Sequence, residues 1–157
     1  MVGYLKDLGV APGDSNELRS KKFTLIIVTI CCFIAAPIWS LSYYLMGLKI
    51  SALIPLGYML ILGPAIAFFV YNKNEKILLN IQLISIFLCP SIMQWLAGGY
   101  LKGGVIILWA FLAPITALIF YDLKKAQFWM AMVLADILLT GFFNGYFEQM
   151  GSYTDRS

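Results

Sequence analysis

Residues 89–114 read CPSIMQWLAGGYLKGGVIILWAFLAP. Two apolar arms flank one small polar knot, GGYLKGG, at positions 98–104. Each arm belongs to an apolar run long enough to cross a bilayer, so the knot reads as a tight turn between two membrane helices. Its four glycines permit positive φ and a close approach of the helix ends. Trp95 and Tyr100 fall where aromatic side chains favour the headgroup layer.

The chain around this hairpin has the same character. Of 157 residues, 61% are hydrophobic and 12% charged, against roughly 25% charged in a soluble domain. The charges cluster between apolar runs, which is the pattern of a polytopic membrane protein. The net charge of +3 is too small to argue for nucleic acid, and no such partner is expected. The basic residues read instead as topology signals and contacts to membrane lipid headgroups.

The absence of histidine removes the commonest general base, haem ligand and metal ligand. Serine or cysteine catalysis then lacks its base. Cys31, Cys32 and Cys89 all sit in apolar runs and read as small packing residues. No metal and no cofactor is expected. Tyr121-Asp122 has half the look of an intramembrane aspartyl protease motif, but the Gly-x-Gly-Asp half is missing from the sequence.

The predicted fold is an all-α bundle of five transmembrane helices. They cover residues 23–46, 50–71, 77–97, 103–121 and 126–147, joined by loops short enough to make neighbours antiparallel. Residues 1–22 form an N-terminal segment and 148–157 a short polar tail. Pro12-Gly13 marks a turn. Asp14 to Glu17 reads as a capping box, with the Asp14 side chain accepting from the Glu17 amide and Glu17 reaching back. A helix then starts near Ser15, while residues 1–13 read equally well as a loose tail. Pro37, Pro55, Pro64, Pro90 and Pro114 lie within spans, where kinked helices open cavities.

Orientation follows from basic residues. Lys6, Arg19, Lys21, Lys22, Lys73, Lys76, Lys124 and Lys125 share one side; Lys49, Lys102 and Arg156 share the other. The positive-inside rule places the N-terminus in the cytoplasm of a bacterium and the C-terminus outside its inner membrane.

Asp136, at the centre of the fifth span, is the candidate for chemistry. A carboxylate there costs about 3 kcal/mol on insertion scales, so it should face the bundle interior as a sensing or proton-binding group, or as a polar brace. Gln82 and Gln94 are candidate partners. Twelve positions separate them, about 120° around a helix, so only one can readily meet Asp136. Gly98 and Gly99 are the candidate functional turn.

Some of these residues resemble a known family. LGVAPGDS at 8–15 with Glu17-Leu18-Arg19 and Lys21-Lys22, IPLGY at 54–58, Gln94 with LAGGY at 96–100, and LWAFLAP at 108–114 are similar to the membrane-bound bacterial class III adenylate/guanylate cyclases. Similar anchors are expected in front of sensor histidine kinases. The resemblance implies six spans followed by a cytoplasmic cyclase domain with two metal-binding aspartates. This chain has neither the sixth span nor that domain, so no catalytic residue carries over. It implies the membrane anchor and sensory part of a cyclic-nucleotide signalling protein, a homodimer responding to an unknown small-molecule or membrane signal. The alternative expectation is a stand-alone membrane protein that binds or transports a small molecule or ion.

Overall fold

A computed structural model describes residues 8–154, with side chains as far as Gly151. Among the described residues every regular element is helical. Four helices are long and apolar enough to cross a membrane: α1 (Asn16–Leu45), α2 (Lys49–Asn72), α3 (Glu75–Leu96) and, later in the chain, α6 (Leu123–Phe142). Between them lie α4 (Gly99–Gly103), a 3₁₀ segment (Ile106–Phe111) and α5 (Leu112–Phe120), and α7 (Asn144–Thr154) follows. Large apolar side chains point outward along the long helices. Leu60 is 77% exposed, Leu138 74% and Phe142 83%. Such a surface suits lipid rather than water.

The N-terminal turn differs from the expected capping box. Ser15 is the N-cap of α1, its hydroxyl accepting from the Leu18 amide. Glu17 pairs with Lys21 at 2.8 Å instead of reaching back. Asp14 is free of capping duty. Its carboxylate accepts from the Ala11 amide at 2.7 Å and from the Lys22 ammonium at 2.8 Å. Residues 8–14 thus form a hook rather than a loose tail, and the rest of the expected tail, 1–7, lies outside the described residues. Gly9 lies against the buried Phe69 ring of α2, leaving no room for a side chain, and Leu8 packs on the core.

The α2–α3 connection is two residues long. Lys73 ends α2 in the left-handed conformation at φ 57°, and Asn74 caps α3 by accepting from the Lys76 amide. Buried Lys22 donates to the Lys73 carbonyl and lies 3.7 Å from Glu75, tying the hook to this turn. The main core lies at this end, where Leu25, Leu62, Phe69, Leu78 and Leu83 meet Ala113 and Ala117 of α5. Ala110, Ala113 and Ala117 are fully buried and recur at helical spacing. Small residues let that strand of chain lie close against its neighbours.

The region predicted as one unbroken span over 103–121 is assembled from pieces. Gly104 and Val105 both take positive φ, 67° and 59°, so the chain reverses after α4 before it can propagate a helix. It then starts in 3₁₀ form. The Gln94 side chain of α3 accepts from the Ile107 amide and thereby satisfies one of the donors a helix start leaves open. At the far end the Tyr121 hydroxyl donates to Asn80 of α3 at 2.7 Å. The segment therefore runs antiparallel along α3 between two side-chain anchors. The last long helix also departs from the predicted 126–147. It stops at Phe142, and α7 begins at Asn144 and carries helix through the polar stretch to Thr154.

Candidate functional site

Three arrangements contain the candidate residues, and they stand at different depths. The first is the knot. Gly98 and Gly99, at φ 90° and 79°, turn the chain from α3 into α4. The Gln94 amide donates to the Gly99 carbonyl while its oxygen accepts from Ile107, so one fully buried glutamine holds both sides of the reversal. From above, the Asn144 side chain accepts from the Tyr100 amide at 2.9 Å and donates to Glu148 at 2.6 Å. Gly151 of α7 rests on Gly98; a methyl group there would stand 2.5 Å from Gly98 Cα. The knot is a packing hub, more than the plain turn its composition suggests, and its polar groups are mutually satisfied.

The second arrangement surrounds Asp136. Its partners are neither of the expected glutamines. Gln94 is spent on the knot, and Gln82 pairs with Tyr58. Asp136 meets Ser91 of α3 and Thr140, one turn on in α6. Thr140 in turn accepts from the Trp95 indole at 2.8 Å, and Ser91 reaches the Phe87 carbonyl at 2.8 Å. The chain Trp95–Thr140–Asp136–Ser91–Phe87 crosses the α3–α6 interface twice. Trp95 also stacks on Phe147 at 5.6 Å, and the Tyr100 hydroxyl donates to the Ile137 carbonyl beside it. Asp136 is buried and fully engaged, which is how a brace is built.

The third arrangement is a cleft of about 400 Å³, walled by α1, α2, α3 and the 3₁₀ segment. None of its lining residues was singled out as a site by the sequence, but the candidate Gln82 lies behind its floor. Its walls are almost wholly apolar. At its rim Trp39 and Trp109 meet edge to face at 5.7 Å and are 45% and 54% exposed. Both rings are thus half-open at the mouth of the cleft. The three cysteines line the cleft, Cys31 exposed and Cys32 and Cys89 half-buried. Pro55 and Pro90 contribute to its walls, as expected of prolines that disturb helix packing.

At the deeper end stand Tyr58 and Ser85, with Gln82 one turn before Ser85 on α3. The Tyr58 hydroxyl donates to the Gln82 oxygen at 3.1 Å, and both side chains touch Cys32. The Gln82 side chain is fully buried, and its nitrogen has no hydrogen-bond partner. Among the described residues no group of histidine, cysteine or carboxylate side chains is disposed to hold a metal ion. The arrangement offers shape, aromatic edges and one polar contact, which suits binding rather than bond-making. The signal that could have pointed here is cysteine-, tryptophan- and proline-rich composition on three helices, but only the tertiary fold joins them. No family model, no curated protein and no solved structure matches this chain.

Proposed function

We propose that this protein is an integral membrane module that crosses the bilayer five times and holds a lipophilic ligand in the cleft between α1, α3 and the 3₁₀ segment. The observation that carries the reading is the cleft itself. A cavity of about 400 Å³ falls within the usual range of roughly 300–1,000 Å³ for small-molecule sites. Its apolar walls admit a ligand already dissolved in the membrane, and its tryptophan rim lies on the lipid side.

The five-pass part rests on lengths. Six 3₁₀ residues followed by nine α-helical ones extend about 25 Å, close to a hydrocarbon core of about 30 Å. The anchors at Gln94 and Asn80 are fourteen residues apart on α3, about 21 Å. The chain between them follows α3 through most of that depth. With five passes, the charge asymmetry supports an N-terminus in the cytoplasm and a C-terminus outside.

In the reading carried by the cyclase resemblance, the module is the sensory anchor of a dimeric signalling enzyme. Ligand in the cleft would then bias α1 between two packings against the 3₁₀ segment. The binding role stands without that extension.

A diazirine fatty acid, photoactivated with the protein in lipid nanodiscs, tests the binding role. Expected adducts map to Cys89, Met93 and Trp109 and are suppressed by excess unlabelled lipophile. Labelling spread evenly over outward residues such as Leu60 and Leu138, without saturation, would overturn it.

A further inference from the structure

Resting on the binding role just proposed, we infer that the cleft selects lipophiles bearing one neutral hydrogen-bond acceptor, such as a ketone, ester, amide or quinone carbonyl, and that Gln82 is the donor that reads it. A bare hydrocarbon would satisfy the walls equally well. It would leave the polar floor unanswered.

The inference starts from the inventory of a glutamine amide, which has two donors on nitrogen and one acceptor oxygen. Tyr58 has a single O–H, and it donates to the Gln82 oxygen. That bond occupies the amide oxygen. The nitrogen is sequestered from solvent and has no hydrogen-bond partner. A buried donor left so costs roughly 1–3 kcal/mol, and the neighbouring Cys32 thiol is a weak acceptor that does little to offset it. Cys32 and Tyr58 both line the cleft, so the amide stands directly behind its floor. Cys32 turns about one side-chain bond, so a ligand carbonyl that displaced its sulfur would meet the amide.

Charge argues for neutrality of the acceptor. No lysine or arginine lines the cleft, and its polar surface is confined to cysteine thiols and the hydroxyls of Tyr43, Tyr58 and Ser85, with the Trp39 and Trp109 indoles at the rim. A carboxylate brought to this depth would meet no counter-ion and would lose its hydration. A carbonyl loses far less and gains the Gln82 hydrogen bond. Asp136 does not compete for the role, because Ser91 and Thr140 already engage it.

The test uses the full chain in nanodiscs and the same diazirine fatty acid photolabel. Methyl undecyl ketone and tridecane, matched in carbon number, are compared as competitors. We expect the ketone to compete roughly five- to tenfold better, the value of one hydrogen bond in a dry site. Gln82→Leu should bring that ratio to about one. Tyr58→Phe, which frees the amide to rotate, should reduce the ratio part of the way. Equal competition by both compounds on the native protein would overturn acceptor recognition and leave the apolar cleft standing. Failure of both to compete would overturn the cleft as well. Should Gln82→Leu not fold, the ketone-to-alkane ratio on the native chain and on Tyr58→Phe still decides the matter.

Discussion

The Lys22 ammonium stands 2.6 Å from the carbonyl oxygen of Lys73, at the opposite end of the first helical hairpin's sequence. The lysine is only 2% exposed, although it begins an apolar run where basic residues usually reach into water. Its three donors meet the carbonyl, the Asp14 carboxylate and the vicinity of Glu75. The left-handed Lys73 turn presents that carbonyl inward. A topology signal thus also acts as a clamp.

Replacing the clamp should loosen the end of the molecule it holds. Lys22→Met keeps the aliphatic stem and removes the donor to the Lys73 carbonyl, a hydrogen bond from a charged group worth about 2 kcal/mol. The thermal midpoint of the detergent-solubilised protein should fall by several degrees. Limited proteolysis should begin within residues 8–14. A midpoint equal to native would show that the buried ammonium carries no stabilising load.

The hook should also respond to acid. The bond from the Ala11 amide, then the Lys22 ammonium, hold the Asp14 carboxyl below its ordinary value of 3.8. A carboxyl lowered in the folded state binds fewer protons than in the unfolded one. Its stabilising effect is therefore complete above about pH 4 and is lost as pH falls through the lower folded value. Protection of residues 8–14 from protease should be flat from neutral pH to about pH 5 and decline below pH 4 in the native protein. Asp14→Asn should be less protected at neutral pH, lack that decline, and converge with the native protein in acid.

How much of this was legible in the sequence depends on what decided each feature. The long helices were visible because lipid demands uninterrupted apolar length; the ends of the second and third fell within two residues of the predicted ones, while the first extends back to Asn16 and the last stops five residues early. The N-cap was misassigned between adjacent residues: Asp14 and Ser15 are both good caps, and the choice was made by Lys22, which recruits Asp14. The broken start of the 106–120 segment was not legible. Hydropathy does not distinguish a 3₁₀ turn from an α-turn, and the left-handed pair at Gly104 and Val105 includes a β-branched residue that sequence rules place elsewhere. Asp136 was correctly read as buried. Its partner Ser91 was hidden among the small hydroxyls that any membrane helix carries. The cleft was least legible, since it needs residues near 31, 58, 89 and 109 brought together by packing.

Val105 offers a direct check on that left-handed pair. A β-branched residue at φ 59° is strained, by roughly 1–2 kcal/mol. Its side chain is 44% exposed, so little packing is lost on removing it. Val105→Gly should raise the thermal midpoint. A lowered midpoint would mean that the valine supports the chain reversal through contacts that outweigh its strain.

The contact between α7 and the knot predicts the opposite sign at another glycine. Gly151→Ala would place a methyl 2.5 Å from Gly98 Cα and 2.9 Å from its nitrogen, and backbone cannot swing aside as a side chain does. A loss of about 1–3 kcal/mol is expected, the usual cost of overpacking. Gly145→Ala, on the same helix with nothing within 4 Å, should be neutral or slightly stabilising. Equal effects at the two positions would mean that α7 does not dock on the knot.

The donors around Asp136 set up the last test. Ser91 has one hydroxyl hydrogen, yet both the Phe87 carbonyl and Asp136 lie within its reach. Thr140, already accepting from Trp95, donates onward to the carboxyl. A group at position 136 that accepts from Thr140 and donates to Ser91 completes the chain with every hydrogen placed. Asparagine can do both. Asp136→Asn should therefore retain the native thermal midpoint within about 1 kcal/mol, and Asp136→Leu, which leaves Ser91 and Thr140 facing an apolar group, should lose about 2 kcal/mol. Tryptophan fluorescence gives an independent readout, because only the leucine variant should release the Thr140 hydroxyl to turn away from Trp95. If asparagine proves as damaging as leucine, the carboxylate charge itself is needed at this depth, and Asp136 is more than a brace.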